Sequence, residues 1–303
     1  MIDNFKIRLD SHELTEKYLK TTGNYTQSFW VGKNDDAKNY PLKKKVSNIE
    51  LKVSAKQSIL GNSLHKYYNI LEFKESGEHN YNDFSYCNVL LALEKLNQDF
   101  RGLDLNRGYL QSLEFGFNLL VNKEPKYYLD NNFLLFEYKA PTINKGTNAM
   151  NYRKFEHNNI AWKVYDKKSQ YGLNKNIIRI EIVYGSGELK KLGIQTINDV
   201  KRRENILLLY SRYLESFKGF TIVDSRFSRK DLSSEFICDL GNRLEPSYWK
   251  YKKGKNNINR DKTKLKQMIK ESHLNTTEIY FRKLIHDKFT ELFYYSDCFQ
   301  QVA

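Results

Sequence analysis

Short runs of alternating apolar and polar residues punctuate the first two thirds of this chain. Phe5 to Leu9 (FKIRL) alternates. So does Asn48 to Ser54, with Ile49, Leu51 and Val53 on one face and Glu50, Lys52 and Ser54 on the other. A period of two marks a strand whose two faces meet different surroundings, so both are predicted strands. Leu110 to Val121 follows the same rule: Leu113, Phe115, Phe117 and Leu119 lie opposite Glu114, Gly116 and Asn118. Phe133 to Tyr138 is a further strand. Ile160 to Asp166 sets Trp162 and Val164 against Lys163, Tyr165 and Lys167, and Ile177 to Tyr184 places Arg179 and Glu181 on one face.

Helical spacing replaces alternation elsewhere. Val89, Leu90, Leu93 and Leu96 predict a helix capped by Asn82 or Asp83 and running through Phe100. Ile206, Leu209, Tyr210 and Tyr213 predict one over Thr196 to Phe217. Ile279, Leu284, Phe289 and Phe293 predict one over Thr276 to Phe299. Residues 10 to 45 read as irregular, Gly61-Asn62 as a turn before polar chain to about Asn82, and Lys139 to Asn151 as a loop. Strands interspersed with a few helices predict an α+β domain around a mainly antiparallel sheet. Strand patterns vanish after Asp231, so the predicted division is an α+β domain over 1–225 and a basic, mainly helical C-terminal region over 226–303.

Charge narrows the function. Lys plus Arg number 50 against 36 Asp plus Glu, a net charge of +14. That field attracts phosphate backbones. Tyr occurs 22 times and Phe 18 times, and aromatics interleaved with cations suit single-stranded nucleic acid. Trp249 to Lys270 concentrates the charge; Lys250, Lys252, Lys253 and Lys255 are candidate DNA contacts, against the alternative of a solvated helix face. Cys87, Cys238 and Cys298 are far apart and suggest neither a disulfide framework nor a zinc finger. No apolar run is long enough to span a membrane, and MIDNFKIRLD has no apolar signal core, so the expected location is the cytoplasm.

Several chemistries are excluded by their missing motifs. The chain has no GxxxxGK[ST], no GxSxG, no HExxH and no His-x-His pair. What remains is three glutamates on polar strand faces, Glu50, Glu114 and Glu181. If their strands are neighbours, these carboxylates form an all-oxygen set suited to Mg²⁺ or Mn²⁺; each taken alone is also an ordinary solvated side chain. Tyr165 stands on the exposed face of its strand with Lys163 and Lys167 beside it. A phenol ionises near pH 10, and nearby lysines or a metal would favour the phenolate as a nucleophile.

The order of these segments resembles the filamentous-phage gene-two replication initiators and the related phage and plasmid rolling-circle replication proteins. MIDNFKIRL is similar to that family's first strand, IELKVSAKQSILGN to its Ser-Ala-Lys and Leu-x-Gly segment, and SLEFGF to its acidic strand. IAWKVYDKKSQ is similar to its tyrosine motif and IIRIEIVYGSGELKKLGI to its Arg-apolar-Glu motif. The likeness covers about residues 1 to 200. It departs at Ser112, where arginine is usual, and at Glu114, where aspartate is common. The resemblance implies the rolling-circle endonuclease-like fold and a metal-dependent nicking and joining enzyme of a bacterial host's cytoplasm. Tyr165 would be the nucleophile, Lys167 its adjacent lysine, Lys163 a DNA contact, and Glu50, Glu114 and Glu181 the acidic positions. Origin DNA would be the partner, with a host helicase or polymerase in attendance. The alternative is a non-catalytic origin- or single-strand-binding regulator.

Overall fold

The computed structural model describes residues 1–28, 30–31, 37–142, 151–224, 232–252 and 254–295. In chain order its strands are β1 (Ile2–Arg8), β2 (Thr26–Gln27), β3 (Trp30–Val31), β4 (Ala37–Lys38), β5 (Leu42–Val46), β6 (Ile49–Val53) and β7 (Ser58–Ser63). They continue as β8 (Tyr109–Leu120), β9 (Phe133–Phe136), β10 (Tyr152–His157), β11 (Ile160–Asp166), β12 (Ile177–Gly185) and β13 (Phe220–Ile222). The helices are α1 (His12–Thr22), α2 (Leu64–Phe73), α3 (Tyr86–Asp99), α4 (Pro125–Asn131), α5 (Lys167–Tyr171) and α6 (Ser186–Lys191). There follow α7 (Ile197–Val200), α8 (Arg203–Phe217), α9 (Ser234–Leu244), α10 (Pro246–Lys250), α11 (Lys255–Glu271) and α12 (Thr276–Tyr294). Nine strands form one sheet in the order β10-β11-β12-β8-β1-β7-β6-β5-β2. β1 is antiparallel to β7 and β8, as are β5 to β6, β6 to β7 and β10 to β11. The fold is therefore α+β around a large antiparallel sheet with a helical C-terminal region, as the alternation predicts.

Two compact units divide the chain. The first comprises Met1–Gly116, Ile182–Ser211 and Thr290–Ala303; the second comprises Phe117–Glu181 and Arg212–Phe289.

In the first unit the predicted alternation is realised. Ile49, Leu51 and Val53 are fully buried on β6, and Val89, Leu93 and Leu96 on α3. The cap of α3 is Ser85, whose hydroxyl accepts from Asn88 N, and not Asn82 or Asp83. Asn82 is engaged elsewhere, its Oδ1 lying 2.8 Å from both His65 Nε2 and Asn69 Nδ2. Three segments expected to be irregular are ordered. α1 buries only Thr15 and Leu19, too thin a stripe to read as a helix. β5 is carried by the sequence LKKKV, whose three lysines mask its pairing with β6. α2 is capped by Ser63 and buries His65 and Asn69 beside Leu64 and Tyr67, so polar residues interrupt its apolar face. Gly61-Asn62 is not a turn but lies within β7. A Cβ on Gly61 would sit 2.3 Å from the Phe5 carbonyl oxygen, so glycine permits close approach to β1. Cys238 is a free, exposed thiol, and Cys298 lies outside the described residues.

The second unit packs around Trp162. Its ring lies 4.6 Å from Tyr213 and 5.1 Å from Phe220, and its Nε1 donates to Ser216 Oγ at 3.0 Å. Val223, Leu240, Leu265, Met268, Ile269 and Leu274 form a further apolar cluster that joins β13 to α9 and α11. On α12 Phe281, Ile285 and Phe289 are buried, whereas Ile279, expected on the apolar face, is 58% exposed. The helix expected over Thr196 to Phe217 is two: Thr196 and Asp199 form a capping box that starts α7, and α8 begins afresh at Arg203. No described helix is long and apolar enough to cross a membrane.

Candidate active site

β11 is built as its sequence dictates. Trp162 and Val164 have no exposed surface and anchor one face, which leaves Lys163 and Tyr165 half-buried on the other. The next strand, β12, is buried on both faces: Ile178, Ile180 and Ile182 on one, Arg179 and Glu181 on the other. Burying two ionised side chains is tolerable only when each has partners. Here Arg179 Nε lies 2.6 Å from Glu181 Oε2, and its Nη1 donates to Asn118 Oδ1 of β8 at 3.1 Å. Lys163 Nζ lies 3.3 Å from Glu181 Oε1. The Tyr165 hydroxyl donates to Glu181 Oε2 at 3.3 Å. Glu181 is therefore a hub for two cations and a phenol.

Lys167 departs from its expected place. The strand stops at Asp166, whose carboxylate accepts from Ser169 N at 2.9 Å and caps α5, so Lys167 is the first helical residue and not the next strand position. It remains beside the tyrosine nonetheless. Its side chain has no exposed surface, and its Nζ lies 4.9 Å from the Tyr165 ring centroid and 5.0 Å from that of Tyr171. An ammonium over aromatic faces is held by the ring quadrupoles.

The acidic positions are distributed differently from the expectation. In the first unit Asp3 and Glu114, on β1 and β8, each offer a carboxylate oxygen, and these oxygens lie within 4.8 Å of one another; Glu181, on β12, belongs to the second unit. Asp3 is the member that alternation does not reveal. β1 pairs Ile2 with Phe115 and Phe5 with Leu113, so two residues, Asp3 and Asn4, face Glu114 alone. Such a bulge re-aims side chains. It leaves Asp3 buried, accepting from the Ser63 hydroxyl and, at 2.6 Å, from Asn80 Nδ2. Glu50 is not in this group. It pairs across β6 with Gly61, which is opposite Lys6, which is opposite Ser112. Three strand spacings, roughly 14 Å, thus separate Glu50 from β8, and its neighbour is Lys43 at 3.9 Å.

The basic tail residues also separate. Lys250 Nζ lies 5.6 Å from the Tyr251 ring, and Lys255 opens α11. Lys252 bonds the buried Asp261, which also pairs with Arg243 Nη1 at 2.9 Å. That bond to Lys252, followed by those from Arg243, holds the Asp261 carboxyl down at about 2. Lys253 lies outside the described residues.

No family model matches the chain, and no curated protein matches it. Among solved structures, a rolling circle replication initiator protein from Geobacillus stearothermophilus is similar at 11% identity and a TM-score of 0.37, over 77% of this chain and 88% of that one. A likeness of that degree leaves the function to be argued from the chain's own residues.

Proposed function

We propose that this chain initiates rolling-circle DNA replication by nicking one strand of an origin and rejoining it through a phosphotyrosine. The observation that carries this reading is the Tyr165 hydroxyl, half-buried near the end of β11 and 3.3 Å from the Glu181 carboxylate. In the reaction Tyr165 Oη attacks the phosphorus of a phosphodiester and gives its proton to Glu181 Oε2, to which it already donates. The P–O3′ bond breaks, the 3′ oxygen leaves as a hydroxyl after taking up a proton, and the 5′ phosphate stays on the tyrosine. The exchange is a transesterification, so no nucleotide cofactor is needed. Lys167 over the ring favours the phenolate charge, and Lys163 offers a cation to the phosphate under attack. Asp3 and Glu114 offer carboxylate oxygens of the kind that would hold Mg²⁺ or Mn²⁺. Such an ion supplies charge neutralisation at the scissile phosphate.

The test is a supercoiled origin plasmid with Mg²⁺ or Mn²⁺. The wild-type protein should convert it to the nicked form, and chelation should stop the reaction. Tyr165→Phe should bind the same DNA yet give no denaturation-resistant adduct with the strand downstream of the nick. Tyr152 and Tyr171 are the controls on this face; Tyr184 is buried and donates to Leu209 O at 2.9 Å. An adduct that survives in Tyr165→Phe would remove Tyr165 as nucleophile. The buried Arg179–Glu181 pair favours a second reading, a non-catalytic origin- or single-strand-binding regulator in which Glu181 only orders the sheet. That reading stands if the wild-type protein binds origin DNA and never cleaves it.

A further inference from the structure

A second basic feature lies in the second unit, and none of the residues given a role in the nicking chemistry lines it. A cleft of about 580 Å³ opens beside β13 and α11. Lys218, Lys262, Lys266, Lys270 and Arg282 line it, opposed by Glu137 and Glu278. Arg282 is spent on Glu278, to which it donates at 2.6 and 2.8 Å. Among the described residues the four lysines have no ion-pair partner, whereas Lys264, on the other side of the same helix, pairs with Asp239 at 2.7 Å. Like charges at i, i+4 destabilise a helix, yet Lys262, Lys266 and Lys270 repeat that spacing on one side of α11. They rise about 6 Å apart along the helix, which is of the order of the separation of successive phosphates on one strand.

The wall facing them is strained. Glu137 and Tyr138 have φ of 47° and 64° between Phe136 and Lys139, which bridge. A turn with two consecutive positive φ values normally carries Asn-Gly or Gly residues. Here it presents Tyr138, whose ring lies 4.4 Å from Lys262 Nζ on one contact and 4.4 Å from the Trp249 ring on another. Tyr138 thus fixes the position of Lys262 at the mouth of the cleft.

We infer that this cleft is a second nucleic-acid site, one that holds the phosphodiester backbone of a single strand through Lys262, Lys266 and Lys270. The inference goes beyond the proposed nicking chemistry and is tested without it. In EDTA and a Tyr165→Phe background, binding of a fluorescent oligothymidylate is measured against salt concentration. Changing Lys262, Lys266 and Lys270 together to Gln should weaken binding at least tenfold at low salt. It should also lower the log–log salt slope by about 2, near 0.7 for each phosphate that is no longer neutralised. The same three changed to Arg should bind like the parent. An unchanged slope and affinity in the Gln variant would overturn the site. So would a weakening that Arg does not restore, which would make the lysines structural. A duplex of equal length that loses as much affinity as the single strand would overturn the single-strand assignment. Because the parent cannot form a phosphotyrosine, these outcomes are independent of whether the wild type nicks.

Discussion

Lys167 is the residue whose surroundings most constrain the chemistry. A lysine with no exposed surface keeps its charge only where something compensates for lost hydration, and the Tyr165 and Tyr171 rings supply part of that compensation. Lys167→Met keeps the stem's bulk and removes the charge. The rate of adduct formation should fall tenfold or more, and its pH profile should move to higher pH, because the phenolate would lose the ammonium held over its ring. Single-turnover rates between pH 6 and 10 check this; an unshifted profile would make Lys167 a packing residue only. The same neighbourhood shows what alternation can disclose. Trp162 and Val164 are apolar at every second place, so Tyr165 had to lie on the other face, and Arg179 and Glu181 follow by the same count. Asp3 escaped because a bulge breaks the count at that point. Glu50 is read correctly as a polar-face strand residue, but strand order is a long-range property, and two further strands intervene before β8.

At the level of elements, two features carry measurable cost. The Glu137-Tyr138 turn holds two L-residues in the left-handed region. Glu137→Gly should therefore raise stability by about 1 kcal/mol in denaturant unfolding, with no change in the slope of the transition. The second feature joins α9, α11 and the segment that follows α10 through Arg243, Asp261 and Lys252. The Asp261 carboxyl is held at about 2, below its ordinary 3.8. A depressed folded value means the contribution is complete above the unfolded value and disappears as pH falls from about 4 through 2. Asp261→Asn should lose about 1–3 kcal/mol at neutral pH, since it leaves Arg243 with Asp239 as its one ion-pair partner among the described residues. The gap between variant and wild type should close between pH 4 and 2; a gap that persists at pH 2 would place the effect in packing. The network also revises the meaning of a charge run. Trp249 to Lys270 reads as one basic stretch, yet Lys252 serves the fold, and the lysines that have no ion-pair partner among the described residues fall later in that stretch, at 262, 266 and 270.

Across the whole molecule, the linear division near residue 225 is legible as a change from strands to helices, but the units are interleaved in the chain. The second unit draws on Phe117–Glu181 and again on Arg212–Phe289. A fragment ending at residue 225 would strip Leu240, Leu265, Met268, Ile269 and Leu274 from the cluster that contains Val223. It should show native-like circular dichroism only in part and rapid amide exchange over β9 and β13, and a protected β9–β13 pair in that fragment would show that the helices are dispensable. The first unit has a matching dependence. Phe293, near the end of α12, lies 5.4 Å from the Tyr86 ring, and the Arg203 guanidinium lies 4.8 Å from the Phe293 ring. Tyr86, the first residue of α3, is made about 200 residues before that contact can form. At about 5–20 residues per second of synthesis, α3, which carries Tyr86, waits many seconds on the ribosome for Phe293. Nascent chains arrested before Phe293 should therefore remain open to protease across α3, and the interval of greatest exposure to aggregation is set by translation speed.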